Sequence, residues 1–295
     1  MKLASTILLI AMSLGATEKS ELARPDGSRL IIYFDAPEKE SYPVALVLQG
    51  SQCGSVLGTH EEWKDPLLKM GYAVASVEKR GVSGVGEVAL KEFDETNSID
   101  QRVSDHLLLI AHLRKGRGEW NRRLTIIGAS EGGEVGGIVA ARTPETQALL
   151  LFCAGGGWTK MEELMWSFRK QLVDDHYSPL YVQSFLVESK EQLFKALENP
   201  SHKHRAYGFT YKYWASTLRH RLLEELSKLH CPIYIVQGAL DDRIPSASAD
   251  FLVKTLKGQG KSSIQYRKVE GMGHDPRQDP SVYREALSWL EALSP

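Results

Sequence analysis

Five stretches of the chain are apolar with almost no interruption, and glycine follows each of them closely: Val44 to Leu48, Tyr72 to Val77, Leu124 to Ile127, Ala148 to Ala154 and Pro232 to Gln237. A strand with one wet face alternates polar and apolar side chains, whereas a strand covered on both faces does not. These runs therefore read as the inner strands of a parallel sheet. Two flanking strands are expected, one over Ser28 to Tyr33 after the Asp26-Gly27 turn and one over Ser263 to Val269. Helical segments fall between the runs: Trp63 to Met70, Ile99 to Lys115, a stretch ending near Arg142, and Val282 to Leu293. Strand and helix alternate, which predicts an α/β fold with a mostly parallel central sheet and helices on both faces. A chain of 295 residues, 42% hydrophobic, can bury one large core and a small accessory unit.

One segment departs from the rhythm. Residues 158–229 show no clear strand and read as several helices rich in Met, Trp, Phe and Tyr, with Met161, Leu164, Met165 and Phe168 at helical spacing. This predicts a helical cap inserted into a core formed by residues 17–157 and 230–295. Tyr207, Phe209, Tyr211, Tyr213 and Trp214 either line a substrate pocket under that cap or pack it onto the body, and packing is the commoner role for such a stripe.

The start of the chain carries a different signal. Lys2, the apolar run Leu3 to Leu14 and the small residues Gly15 and Ala16 have the layout of a secretory signal peptide over residues 1–16. The expected location is exported, periplasmic or secreted. The run is too short for a stable membrane span, which takes about 20 apolar residues. Formal net charge is -1, and no aromatic-basic motif offers a footprint for nucleic acid. Three cysteines, Cys53, Cys153 and Cys231, contain no C-x-x-C and set out no disulfide framework; Cys153 and Cys231 read as small buried hydrophobes.

Chemistry concentrates at three places. Gly128-Ala129-Ser130-Glu131-Gly132 is G-x-S-x-G, and it joins a strand to a helix, where a sharp turn lifts a serine hydroxyl to the carboxyl end of a sheet. A hydroxyl needs a base to become a nucleophile. Of nine histidines, His274 follows the last strand in a glycine loop, Gly271 to Pro276, that brings it to the same edge. His106 and His112 on the long helix read as packing or surface, as do His202 and His204 in the cap, where no third metal ligand stands beside them. The acid that orients the base is expected after Pro232 to Gln237, at Asp241, with Asp242 its nearest rival and Asp174 and Asp175 weaker ones. The order serine, acid, histidine is the order found in hydrolases of this architecture. Glu131 and Glu134 read as acidic charges favouring a helix start. The glycines at 81–86 and 155–157 do not spell a nucleotide motif, and tight turns explain them.

On GASEGG, GALDDRIP, GMGHDP and LVLQGS the sequence resembles the α/β-hydrolase family over nearly all its length after the leader. In that family's G-x-x-D-x-x-V-P pattern the aspartate is the acid, and Gly238 and Pro245 fix the register on Asp241. The resemblance also implies an oxyanion hole from the backbone N–H groups of Ser51 and Glu131, with Gln49-Gly50 standing where the family usually has His-Gly. It implies a serine hydrolase that cleaves a carboxylic ester through an acyl-enzyme, with Ser130, Asp241 and His274 as the triad and no metal or organic cofactor. The G-x-S-x-G-G extension also resembles secreted peptidases of the prolyl oligopeptidase type, so a peptide substrate stands as the alternative. A non-catalytic protein that binds a small ligand in the same fold is the third reading.

Overall fold

The computed structural model describes residues 17–293, so the leader reading over 1–16 lies outside them. The chain enters through two antiparallel strands, β1 (Glu18–Ala23) and β2 (Arg29–Asp35), and then lays down β3 (Tyr42–Leu48), helix α1 (Leu57–Lys69) and β4 (Ala73–Val77). A small hairpin follows, β5 (Val82–Gly84) and β6 (Glu87–Val88), then α2 (Leu90–Thr96) and α3 (Ile99–Gly116). Strand β7 (Trp120–Ala129) runs into α4 (Glu131–Ala141), and β8 (Thr146–Phe152) lies beside it. Next come α5 (Lys160–Asp174), α6 (Pro179–Glu198), the two-residue strands β9 (Arg205–Ala206) and β10 (Phe209–Thr210), α7 (Tyr211–Arg219) and α8 (Leu222–Ser227). The chain closes with β11 (Ile233–Gly238), α9 (Ser246–Gly258), β12 (Ile264–Val269) and α10 (Ser281–Ala292).

Eight strands form one sheet in the order β1-β2-β4-β3-β7-β8-β11-β12, parallel from β4 onward. The uninterrupted apolar runs now have their reason. Val44, Leu46 and Leu48 of β3 face a core shared with α3, α4, α8 and α9, while Ala45 and Val47 face a second core with α1 and α10. Leu149 and Leu151 of β8 split from Ala148, Leu150 and Phe152 in the same way. Both faces are dry, so neither can be polar.

This topology places a crevice. From β3 the chain steps to β4 on one side, and later returns to β7 on the other. The helices that follow β3 and β7, α1 and α4, therefore lie on opposite faces, and the loops leading into them diverge at the carboxyl ends of neighbouring strands. Open α/β sheets bind their ligands at such switch points.

Residues 158–229 hold α5 to α8. Tyr213, Trp214, Leu193 and Ala196 form a cluster of their own with Met161, Leu164 and Met165, whereas Leu222 and Leu226 of α8 enter the core beneath the sheet. A two-residue strand pair, β9 with β10, sits in this segment where no strand is expected from the sequence. Strand β1 is also unforeseen: its sequence EKSELA is largely exposed and carries no apolar run. Helix α1 begins at Leu57, six residues ahead of the expected start, because its first turns hold few apolar residues. Cys153 is buried as expected, but Cys231 is only half buried. Among the described residues no helix is long and apolar enough to cross a membrane.

Candidate active site

Ser130 stands between the last residue of β7 and the first of α4, with φ 54° and ψ -127°. A non-glycine residue in this sparsely populated region costs about 1–3 kcal/mol and persists only where its surroundings over-determine it. Here they do: the Ser130 N–H donates to Phe152 O at 2.8 Å, and Ser130 O accepts from Gly133 N at 2.9 Å. The turn also needs glycine at Gly132, where a Cβ would stand 2.5 Å from Leu48 O and 2.6 Å from Gln49 O. At Gly50, across the crevice, a Cβ would lie 3.5 Å from the Ser130 Cβ, so the two loops are nearly in contact.

Three side chains distant in sequence meet at this turn. Ser130 Oγ lies 3.0 Å from His274 Nε2, and His274 Nδ1 lies 3.0 and 2.9 Å from the two carboxylate oxygens of Asp241. Because a carboxylate only accepts, Nδ1 carries the ring proton and Nε2 is left to accept from the serine hydroxyl. Asp241 is 2% exposed, and its acceptor sites are filled: Oδ1 accepts from the N–H groups of Arg243 and Ile244, each at 2.9 Å, and Oδ2 from Gln237 Nε2 at 2.8 Å. The rival Asp242 is exposed on the wall of the cavity beside the site and makes no hydrogen bond to His274, and Asp174 pairs with Lys170 on the surface of α5.

The alcohol and the imidazole open onto a cavity of about 950 Å³. Its apolar floor includes Trp63, Phe152 and Tyr283, whose rings lie 5.2–5.7 Å apart, and Ser51, Arg243 and Arg277 are among its polar lining. No residue of 158–229 lines it, so the aromatic stripe of that segment packs the segment rather than forming this pocket. Ser51 reaches the cavity on the loop after β3. Glu131 is the first residue of α4, and its N–H has no acceptor inside the helix.

The side chains of Glu131 and Glu134 are not the solvated helix-start charges that their position suggests. Glu131 is 5% exposed and accepts from Arg102 and from the Tyr213 hydroxyl. Burial raises its pKa, but Arg102 and Lys79 more than offset that, and the carboxyl is held below its ordinary range. Glu134 and Glu163, both buried, flank the half-buried Lys160 at 3.4 and 3.2 Å. Arg102 and Lys79 are the residues that sequence reasoning missed, and for Tyr213 it gave the packing stripe but not the bond to Glu131. A signal existed for Arg102: it shares the buried stripe of α3 with Ile99, Val103, His106 and Leu113. His106 is a packing histidine, buried and bonded through Nδ1 to Arg102 O at 2.6 Å, while His112 is exposed.

A mostly parallel sheet with an alcohol, an imidazole and a carboxylate joined at its carboxyl edge defines an α/β-hydrolase, and the protein is a hydrolase of the serine class. Within that class the chain belongs to the prolyl oligopeptidase family, which matches residues 59–294. The fold is similar to an esterase of Pyrococcus furiosus (TM-score 0.65, 15% identity, 94% of this chain and 90% of that one). It is similar also to Est1E of Butyrivibrio proteoclasticus (TM-score 0.62, 16% identity, 95% and 99%). A puromycin-hydrolyzing peptidase of Mycobacterium tuberculosis shares the fold at TM-score 0.62 and 18% identity, over 94% of this chain and 38% of its own. No curated protein matches the sequence.

Proposed function

We propose that the protein is an exported serine esterase that cleaves carboxylic esters through an acyl-enzyme. The observation that carries this reading is the unbroken chain of contacts from Asp241 through His274 to Ser130, ending at an open cavity. Ser130 Oγ attacks the ester carbonyl carbon as His274 Nε2 takes its proton. Asp241 holds the ring in the tautomer that can accept it and stabilises the imidazolium. The backbone N–H groups of Ser51 and Glu131 receive the oxyanion, a role worth about 3–4 kcal/mol for a well-placed donor. The tetrahedral adduct then expels the alcohol, protonated by His274, and water repeats the sequence on the acyl-enzyme. An ester is favoured over a peptide because similar folds that match over 90 and 99% of their own length include an esterase and Est1E, the latter also seen with ferulic acid bound.

The family membership and the peptidase neighbour support a second reading, hydrolysis of a peptide or amide. A panel of p-nitrophenyl esters and aminoacyl anilides separates the two: faster kcat/KM on esters upholds the first, and turnover of anilides alone the second. Labelling by a fluorophosphonate that disappears in Ser130→Ala is expected in either case. Wild-type protein that takes no label is instead a ligand-binding relative without catalysis, and both readings fall.

A further inference from the structure

The loop after β3 is gripped from behind by charged residues that the reaction above does not use. Lys79 and Glu78, adjacent at the end of β4, are 5% and 1% exposed. Glu78 accepts from Val56 N at 2.9 Å and from the Ser55 hydroxyl, and so fixes the far end of the loop. Lys79 Nζ donates to Gly50 O at 2.6 Å and to Gln52 O, and so fixes the near end. Arg102 adds a bond to Gln49 O at 2.6 Å and reaches Gly50 O only at 3.5 Å, which leaves Lys79 as the principal holder of that carbonyl. Burial, with Arg102 beside it, draws the Lys79 pKa down to about 7. The cost of burying an ammonium is large unless its partners repay it.

A carbonyl and the N–H that follows it belong to one planar peptide group. In the trans form they point in opposite directions, and the described backbone contains no cis bond. Lys79 does not line the cavity, whereas Ser51 does. A Gly50 carbonyl drawn toward Lys79 therefore turns the Ser51 N–H the other way. We propose that Lys79 is a positioning residue for the oxyanion hole, holding the Gly50–Ser51 peptide so that its N–H faces the oxygen developing on the substrate. The inference rests on the reading of Ser51 as an oxyanion donor. Arg102 extends the brace to the second donor, since the same guanidinium binds the Glu131 carboxylate. A donor that is oriented before the reaction acts on the transition state and hardly at all on the ground state.

The test is steady-state kinetics of Lys79→Met on p-nitrophenyl butyrate, with inhibition by a trifluoromethyl ketone measured alongside and thermal unfolding as the control for folding. Loss of one well-placed donor lowers kcat by roughly 100–1000-fold, and Lys79→Met misaligns the donor rather than deleting it, so we expect a fall of at least about tenfold with KM within about threefold and a parallel weakening of the ketone. Lys79→Arg, which keeps a cation, is expected to recover part of the loss. A folded Lys79→Met variant with wild-type kcat and ketone affinity overturns the inference, as does a drop in thermal stability with the ratio of ketone to substrate binding unchanged. If Lys79→Met does not fold, a crystal structure of the wild-type ketone adduct decides. The inference stands if Ser51 N lies within hydrogen-bond distance of the adduct oxygen while Lys79 keeps Gly50 O, and falls if Ser51 N points away. These failures are distinct from failure of the hydrolase reading, in which wild-type protein has neither Ser130-dependent label nor turnover.

Discussion

Ser76 Oγ lies 2.8 Å from His60 Nδ1, closer than Ser130 Oγ lies to the imidazole of His274. Asp35 completes this second set at 2.7 Å from His60 Nε2. The types match a catalytic triad, but Ser76 and His60 have no exposed surface, and neither lines the cavity. Burial lowers the His60 pKa despite Asp35, so the ring is held neutral between two hydrogen bonds. The set ties β2, α1 and β4 together. Chemistry needs a reachable reactant as well as the right residues.

Ser76→Ala is accordingly expected to leave kcat and KM on p-nitrophenyl esters unchanged and to lower stability by about 1–3 kcal/mol, the cost of orphaning a buried polar partner. Chemical denaturation alongside kinetics checks both. A large loss of kcat in a folded Ser76→Ala protein would move the active centre.

Gly132→Ala tests the tight turn beneath Ser130. The added Cβ meets two backbone oxygens, Leu48 O and Gln49 O, which have no rotamer to yield. Overpacking of this kind costs about 1–3 kcal/mol, and any relief moves the β3 loop against Ser130. We expect a lower melting temperature together with slower fluorophosphonate labelling. An unchanged labelling rate would show that the turn has slack.

Acid should loosen the fold through His106. Its pKa is drawn down to about 3 by burial and by the neighbouring Arg102 and Lys79. In the unfolded chain it titrates near 6.5. The unfolded state thus binds the extra proton first, and His106 contributes stability above about pH 6.5 that is lost at about 1.4 kcal/mol per unit as pH falls toward 3. Urea midpoints between pH 7 and 4 are expected to decline in the wild type and to decline less steeply in His106→Gln. Parallel slopes would remove His106 as the cause.

Tyr283 sets the room available at the cavity floor, stacked on Phe152 at 5.6 Å and edge-on to Trp63 at 5.2 Å. Tyr283→Ala removes a ring from that floor. The ratio of kcat/KM for hexanoyl over acetyl esters is expected to rise by roughly 10-fold, about what accommodating one further methylene is worth at 1–3 kcal/mol. If the ratio is unmoved, the acyl chain lies elsewhere.

What the residues disclosed in advance follows from which forces are local. Val44 to Leu48 and Ala148 to Phe152 advertise buried strands, since coverage of both faces leaves no polar position in the sequence. Ser130 is legible because its turn demands Gly132 at a fixed spacing. Lys79 was not legible: it sits among Glu78 and Arg80 in what reads as an ordinary charged run, and only the loop packed over it reveals that its neighbour Arg80 points outward to Asp26 while it points in. Strand β1 escaped for the opposite reason. Its pairing with β2 is made by backbone groups, which every residue carries, and its side chains are largely in water.

The hydroxyl of Tyr213, on α7, donates to the carboxylate of Glu131, the residue next to Ser130. Glu131 therefore shares its negative charge between the core, through Arg102, and the helical insertion, through Tyr213. Any swing of α7 away from the sheet must first surrender that bond, leaving a buried phenol and a buried carboxylate each short of a partner. Residues 158–229 are in this way fastened to the core at the immediate neighbour of Ser130.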